Sequence, residues 1–214
     1  MALMSFKELG IVLGAVGIIT LYHLHLLIRV RRNPLGTAIG ITAHARRLWV
    51  KEVMQEKRDI LAIQTLRNQV MAATFLASTA ILITLGLMGA TFRPGVFGEI
   101  SHALNLAGTK NEALWMIKLM LLIVLFFFTF FNFALSIRYY NHAGFMINTF
   151  DTHDATLSEE NVAGVLDHAA LHYTFGMRGF YFSVPTVLWL FGPIWMFMGC
   201  LIMIGVLYRL DREA

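Results

Sequence analysis

LMLLIVLFFFTFFNFALSI, residues Leu119–Ile137, runs for 19 positions without an Asp, Glu, Lys or Arg. Three more stretches share that property: Leu9–Ile28, Asn68–Phe92 and Gly179–Tyr208, of 20, 25 and 30 residues. A helix needs about 20 apolar residues to cross the hydrocarbon core of a bilayer. A charge at its centre costs roughly 3 kcal/mol on insertion scales, so gaps of this length in the charge pattern mark membrane spans. The expected fold is all-α: an integral membrane bundle of four transmembrane helices with short cytoplasmic amphipathic helices. The spans are expected at about 9–30, 62–91, 113–138 and 180–208, with cytoplasmic segments at 31–61 and 139–179.

Composition agrees. Hydrophobic residues are 57% of the 214 and charged residues 14%, against about 25% charged in soluble domains. Mean hydropathy is +0.66. The chain reads as a single transmembrane domain with no room for a separate soluble catalytic domain. The lone cysteine, Cys200, sits inside an apolar span, so no internal disulfide framework exists and the residue reads as small apolar filler. The first apolar run ends in Arg29, Arg31 and Arg32 and has no small-residue cleavage site, which suits a retained span better than a removable leader.

Nine of the 17 Lys and Arg residues fall between the first two spans, and Arg138 and Arg178 lie between the third and fourth. The positive-inside rule places these eleven in the cytoplasm against six on the other side, and puts both termini outside. The expected location is a bacterial inner membrane, crossed several times.

Along the chain, Gly10-x3-Gly14 permits close helix approach, within the chain or between copies. Asn33-Pro34 ends the first helix. Thr37–Asp59 reads as amphipathic, with Trp49, Arg46, Arg47 and Lys51 suited to the anionic inner leaflet; packing on the second cytoplasmic loop is the alternative. The second span, with Ala72-Ala73 and Ala77–Ala80, reads as the central packing helix. A brief helix is expected near Phe97–Leu106, and His102 reads as a loop residue. Lys118 is expected to snorkel outward, and Asn132 requires a partner. Ser158-Glu159-Glu160 starts a helix, and Pro185 and Gly192-Pro193 are expected to kink the fourth span.

Chemistry is sparse. His168 and His172 are four apart, on one helical face, and form a candidate metal pair, with Asp151, His153, Asp154 and Asp167 near in sequence. No other cofactor is expected. No phosphate loop, dinucleotide fingerprint or nucleophile elbow is present, and nothing calls for nucleic acid. What remains is a polar inner rim of His23, Gln64, Arg67, Asn68, His142, Asn148, Arg178 and Tyr181. Converging polar groups in a membrane form either a pathway or a hydrogen-bond network that staples helix ends.

Leu61–Ala80, LAIQTLRNQVMAATFLASTA, resembles the hallmark stretch of a family of bacterial and plant membrane proteins, domain of unknown function family 599. Tyr22-His23, Arg138 with His142–Asn148, Arg178–Phe182, and Pro185 with Leu188–Pro193 match the same pattern. The resemblance covers nearly the whole chain, implies four spans and implies no activity. The leading expectation is an oligomeric channel or transporter-like protein for an ion or small polar solute. Alternatives are a scaffold or accessory subunit of a membrane complex, and a metal- or quinone-dependent membrane enzyme.

Overall fold

The computed structural model describes residues 4–91, 108, 111–149 and 157–212. The expected helix at 97–106, His102, Asp151, His153 and Asp154 lie outside the described residues, as does the side chain of Asn148. Among the described residues there are six α-helices: α1 (Phe6–Arg32), α2 (Ala38–Gln55), α3 (Asp59–Thr91), α4 (Glu112–Asn148), α5 (Glu159–Phe191) and α6 (Pro193–Leu210). Among the described residues there is no strand. Four helices are long and apolar enough to cross a membrane: α1, α3, α4 up to Ile147, and α6. The all-α membrane bundle is as the charge gaps require.

α4 is the axis. Of its most apolar 18-residue window 44% is buried, against 22% for α3 and 11% for α1. The expectation that the second span is central is corrected here. The alanines of α3 (Ala73, Ala77, Ala80) are buried as expected, but they serve to seat α3 on α4 around Phe133 and Phe126. The phenylalanine run of α4 divides between Phe126 and Phe133 inward and Phe128 and Phe131 outward.

α5 packs antiparallel to α4 along their length. Phe180 meets Phe126, Tyr173 meets Phe133, and Tyr139 stacks on His168. Ser136 Oγ donates to the Ala169 carbonyl at 2.9 Å. Lys118, instead of snorkelling, is buried: its Nζ donates to the Trp189 carbonyl at 2.9 Å and caps the last turn of α5. Two glycines permit the close approach. A β-carbon on Gly176 would lie 2.8 Å from the Phe133 ring, and one on Gly179 would lie 2.0 Å from Thr129 Oγ1.

The stretch read as one kinked span, 180–208, is two helices folded back on each other. α5 continues unbroken through Pro185 and stops at Gly192. Gly192 has φ 143° and ψ 163°, a conformation essentially confined to glycine, and Pro193 then opens α6 at its first position. Antiparallel packing follows: Gly199 of α6 faces Pro185 and Leu188, and Asp211 reaches Arg178. α6 therefore runs beside α1 in the same direction, with Phe197 on Gly14, and Met196 and Cys200 around Ala15. Cys200 fills this core, as expected. Gly10 faces no neighbour within 4 Å.

This hairpin alters the topology. Met4 and Val12 pack in the cluster that holds Trp189, whereas Asp211 bonds Tyr22, farther along α1. Phe6 and Leu210 consequently lie at opposite ends of the α1–α6 pair. The expected placement of both termini outside rested on reading 180–208 as a single crossing, which the turn at Gly192 replaces with a hairpin.

The amphipathic helix α2 stands along the lower half of α5 and buries Val50, Val53 and Met54 against Val162, Ala163 and Leu166. Of the two expected settings, its apolar face takes the protein one. Its axis is upright: Ala38 N donates to the Asp211 carbonyl at 3.1 Å at one end, and Gln55 Nε2 donates to Glu159 Oε1 at 3.0 Å at the other. α6 and α2 thus follow one another, end to end, along the single long helix α5. The re-entry after Pro34 is tight. Thr37 caps α2 by accepting from Gly40 N, and a β-carbon on Gly40 would lie 1.9 Å from the Pro34 carbonyl oxygen.

Reporter fusions at the two termini are expected to read opposite compartments. The same compartment for both would remove the hairpin. Gly179→Leu forces a side chain into Thr129 and is expected to lower stability in detergent by about 1–3 kcal/mol, the usual cost of overpacking, read from a chemical unfolding titration.

Candidate functional site

Where α6 ends and α2 begins, four polar side chains from three helices converge. Arg178 Nη2 donates to both oxygens of Asp211, at 2.6 and 2.7 Å. Tyr22 OH donates to Asp211 Oδ2. The Arg178 and Asp211 side chains are only 11% and 12% exposed. Asp211 also caps α6, and its backbone carbonyl takes the Ala38 N–H. The negative end of one helix dipole therefore meets the positive end of another, with the carboxylate between them.

His23 extends the cluster. Its Nδ1 donates to the Ile19 carbonyl at 2.9 Å, which leaves Nε2 as an acceptor. The ring lies 5.2 Å from both the Tyr22 and Phe182 rings. His23 Nε2 and Arg178 Nη1 are both buried, with no hydrogen-bond partner among the described residues. One is an acceptor and the other a donor.

The depth is informative. Gly179, next to Arg178, abuts Thr129, one residue from the midpoint of the charge-free run Leu119–Ile137. Arg178 lies 11 residues before Trp189 on α5, about 16 Å at 1.5 Å per residue. Measured on α4, the ion pair sits level with the middle of the charge-free run; measured on α5 and α6, it sits at the edge of the run Gly179–Tyr208. The first two turns of α2, beginning at Ala38, share that depth on one side.

The remaining rim residues do not join this cluster. Gln64, Arg67 and Asn68 are exposed on α3, and His142 is exposed on α4. No hydrogen bond or ion pair links them among the described residues. Tyr181 is half-buried. Among the interface candidates, Arg46 and Arg47 both pair with Asp167, at 3.0 and 3.1 Å, Trp49 is half-buried against α5, and Lys51 is exposed.

His168 and His172 share a face as their spacing requires, but both rings stack on Tyr139, at 5.6 and 5.5 Å. His172 Nδ1 donates to Asn132 Oδ1 at 3.0 Å, which supplies the partner that Asn132 needs. Among the described residues no group of three or more His, Cys, Asp or Glu is placed to hold a metal ion.

Asp211 was absent from the sequence-derived set. It follows Arg209 and precedes Arg212, and reads there as part of a solvated tail. The usable signal is its separation of 33 residues from Arg178, on the other side of Gly192-Pro193.

A membrane bundle of apolar helices with a buried ion pair where two of them meet is the class these observations define. A family model described as protein of unknown function, DUF599, matches residues 11–214, and the chain belongs to that family. No curated protein and no solved structure matches it.

Removing one partner of a buried pair leaves the other uncompensated, which costs about 3–5 kcal/mol. Asp211→Ala is expected to show that loss in unfolding titrations. Arg178→Met with Asp211→Leu together should recover most of it, and Tyr22→Phe alone should cost about 1 kcal/mol.

Proposed function

We propose that this protein moves an ion or small polar solute across a bacterial inner membrane, through the junction of α6 and α2. One observation carries the reading: two helices break and meet end to end beside the middle of the apolar run of α4, around a charged pair. Broken helices at the bilayer midplane are a recurring way to build a translocation site, because helix ends expose backbone groups and dipoles where the lipid offers none. Ionisable groups are kept at that depth at considerable cost, which favours a functional role over a packing one.

In this reading Arg178 and the start of α2 set the electrostatic preference. Asp211, Tyr22 and His23 form a chain of proton-holding groups around the passing species. The buried donor Arg178 Nη1 and acceptor His23 Nε2 supply its contacts. Gln64, Arg67 and Asn68, exposed along one face of α3, would line a mouth between copies in an oligomer, with Asn148 and His142 as further rim groups.

The topology supports the orientation. With the C-terminus on the side of the α1–α2 connection, Arg209 and Arg212 join the eleven basic residues there, giving thirteen against four. That is a stronger positive-inside bias than four crossings would give. The N-terminus then faces outward and the C-terminus the cytoplasm.

The accessory-subunit reading draws on the same exposed stripe, since Gln64, Arg67 and Asn68 suit a protein partner equally. Flux assays separate the two. Proteoliposomes of purified protein are expected to pass protons or a common small ion. Asp211→Asn, which keeps the shape, should reduce the flux tenfold or more, and Arg67→Ala less. Absence of flux for every ion tried, at any voltage or pH, together with stable co-purification of a partner, would replace transport by the subunit role.

A further inference from the structure

Among the described residues a groove of about 500 Å³ opens between α2 and α3, floored by α4 and α5. Its volume falls within the range of small-molecule sites. α2 leans on α5 and leaves this side open. Ala45, Arg46 and Trp49 form one wall, Gln69 stands on the other, and Tyr140 and Tyr173 lie behind.

The groove has a defined depth. Along α5 its lining runs from Leu166 to Thr174. Measured from Gly179, level with the middle of the charge-free run of α4, these positions lie about 7–20 Å toward the α2 side at 1.5 Å per residue. Half a hydrocarbon core is about 15 Å. The upper part of the groove is therefore at acyl-chain depth, and the part beside Arg46, Trp49 and Gln69 is at headgroup depth. Tryptophan and tyrosine favour that boundary.

Charge distinguishes the two ends. Arg46 and Arg47 share the single carboxylate of Asp167. The trio carries one net positive charge. Arg46 uses Nε and Nη2 for Asp167, which leaves Nη1 outside the pair. An arginine with a free edge, at headgroup depth, matches one phosphate oxygen. Thr42, Thr65 and Thr174 bond their own helix carbonyls, so the rest of the wall presents methyl groups and ring faces.

We propose that this groove is a binding site for one anionic glycerophospholipid of the leaflet on the α2 side, with its phosphate against Arg46 and one acyl chain between α2 and α3. The site does not depend on transport. It rests on the groove's depth, its lateral opening and the excess positive charge at one end. The lipid wedges α2 against the bundle, which otherwise meets α3 only loosely.

Native mass spectrometry of the delipidated protein tests it, with phosphatidylglycerol and phosphatidylcholine of identical chains as probes and inorganic phosphate as a third. One phosphatidylglycerol per chain should be retained at least tenfold better than phosphatidylcholine, and phosphate alone should not bind. Arg46→Gln should abolish the difference between the two lipids. Ala45→Trp fills the groove and leaves the Asp167 pairs intact, so it should remove bound lipid without a change in helix content. Equal retention of both lipids by the native chain, or undiminished phosphatidylglycerol on a folded Ala45→Trp variant, would overturn the proposal. So would binding of phosphate alone, or of a quinone in place of the lipid.

Discussion

A carboxylate buried among apolar helices must be answered by a positive charge and by hydrogen-bond donors, and the answer given to Asp211 organises this molecule. Its side chain holds Arg178 of α5 and Tyr22 of α1, and its carbonyl holds the first N–H of α2. One residue at the end of α6 therefore joins four helices. In water the same contacts would contribute little, since exposed ion pairs are worth about 0–1 kcal/mol. In the apolar belt the alternative is an unpaired charge, which makes the junction close to obligatory. The hairpin at Gly192 and the re-entry at Pro34 are what bring its members together.

The long α4–α5 contact is the other constraint. No hydrophobic force drives helices together in lipid, so close packing and polar ties must do so. Gly176 and Gly179 allow the backbones to approach where Phe133 and Thr129 project. Polar ties recur at three depths: Lys118 to Trp189, Asn132 to His172, and Ser136 to Ala169. Each satisfies a group that the lipid would leave bare. They fix the register of α5, and with it the depth of Arg178. A transport site at the junction would inherit its geometry from this register, whereas the groove at Arg46 depends on how α2 leans against α5.

Several features were legible in the chain. Asn132 needed a partner and has one. His23 and Arg178 were singled out as membrane polar groups, and both are in the cluster. His168 and His172 share a face. The rest of the rim was not separable by the same logic. Gln64, Arg67 and Asn68 project outward from α3, while Arg178 projects inward, and their local sequences look alike. Lys118 was misjudged for a related reason: a lysine near a helix end reaches water in most settings, and here the open last turn of α5 was closer. Tyr22 was marked only as part of the family pattern and Asp211 went unnoticed, because a tyrosine at a span end and an aspartate in a basic tail have ordinary explanations.

The sequence by itself determined the solvent of this protein, its helical class and the side on which its positive charge collects. Those follow from the free energy of moving each residue type into lipid, a property that residues carry with them individually. Only the tertiary structure decided that 180–208 turns back at Gly192, that α6 runs beside α1 in the same direction, and that Arg178 finds Asp211. Those outcomes depend on pairings between residues far apart in the chain. A glycine before a proline permits both a kink and a full reversal, and the choice between them lies with what the returning helix meets.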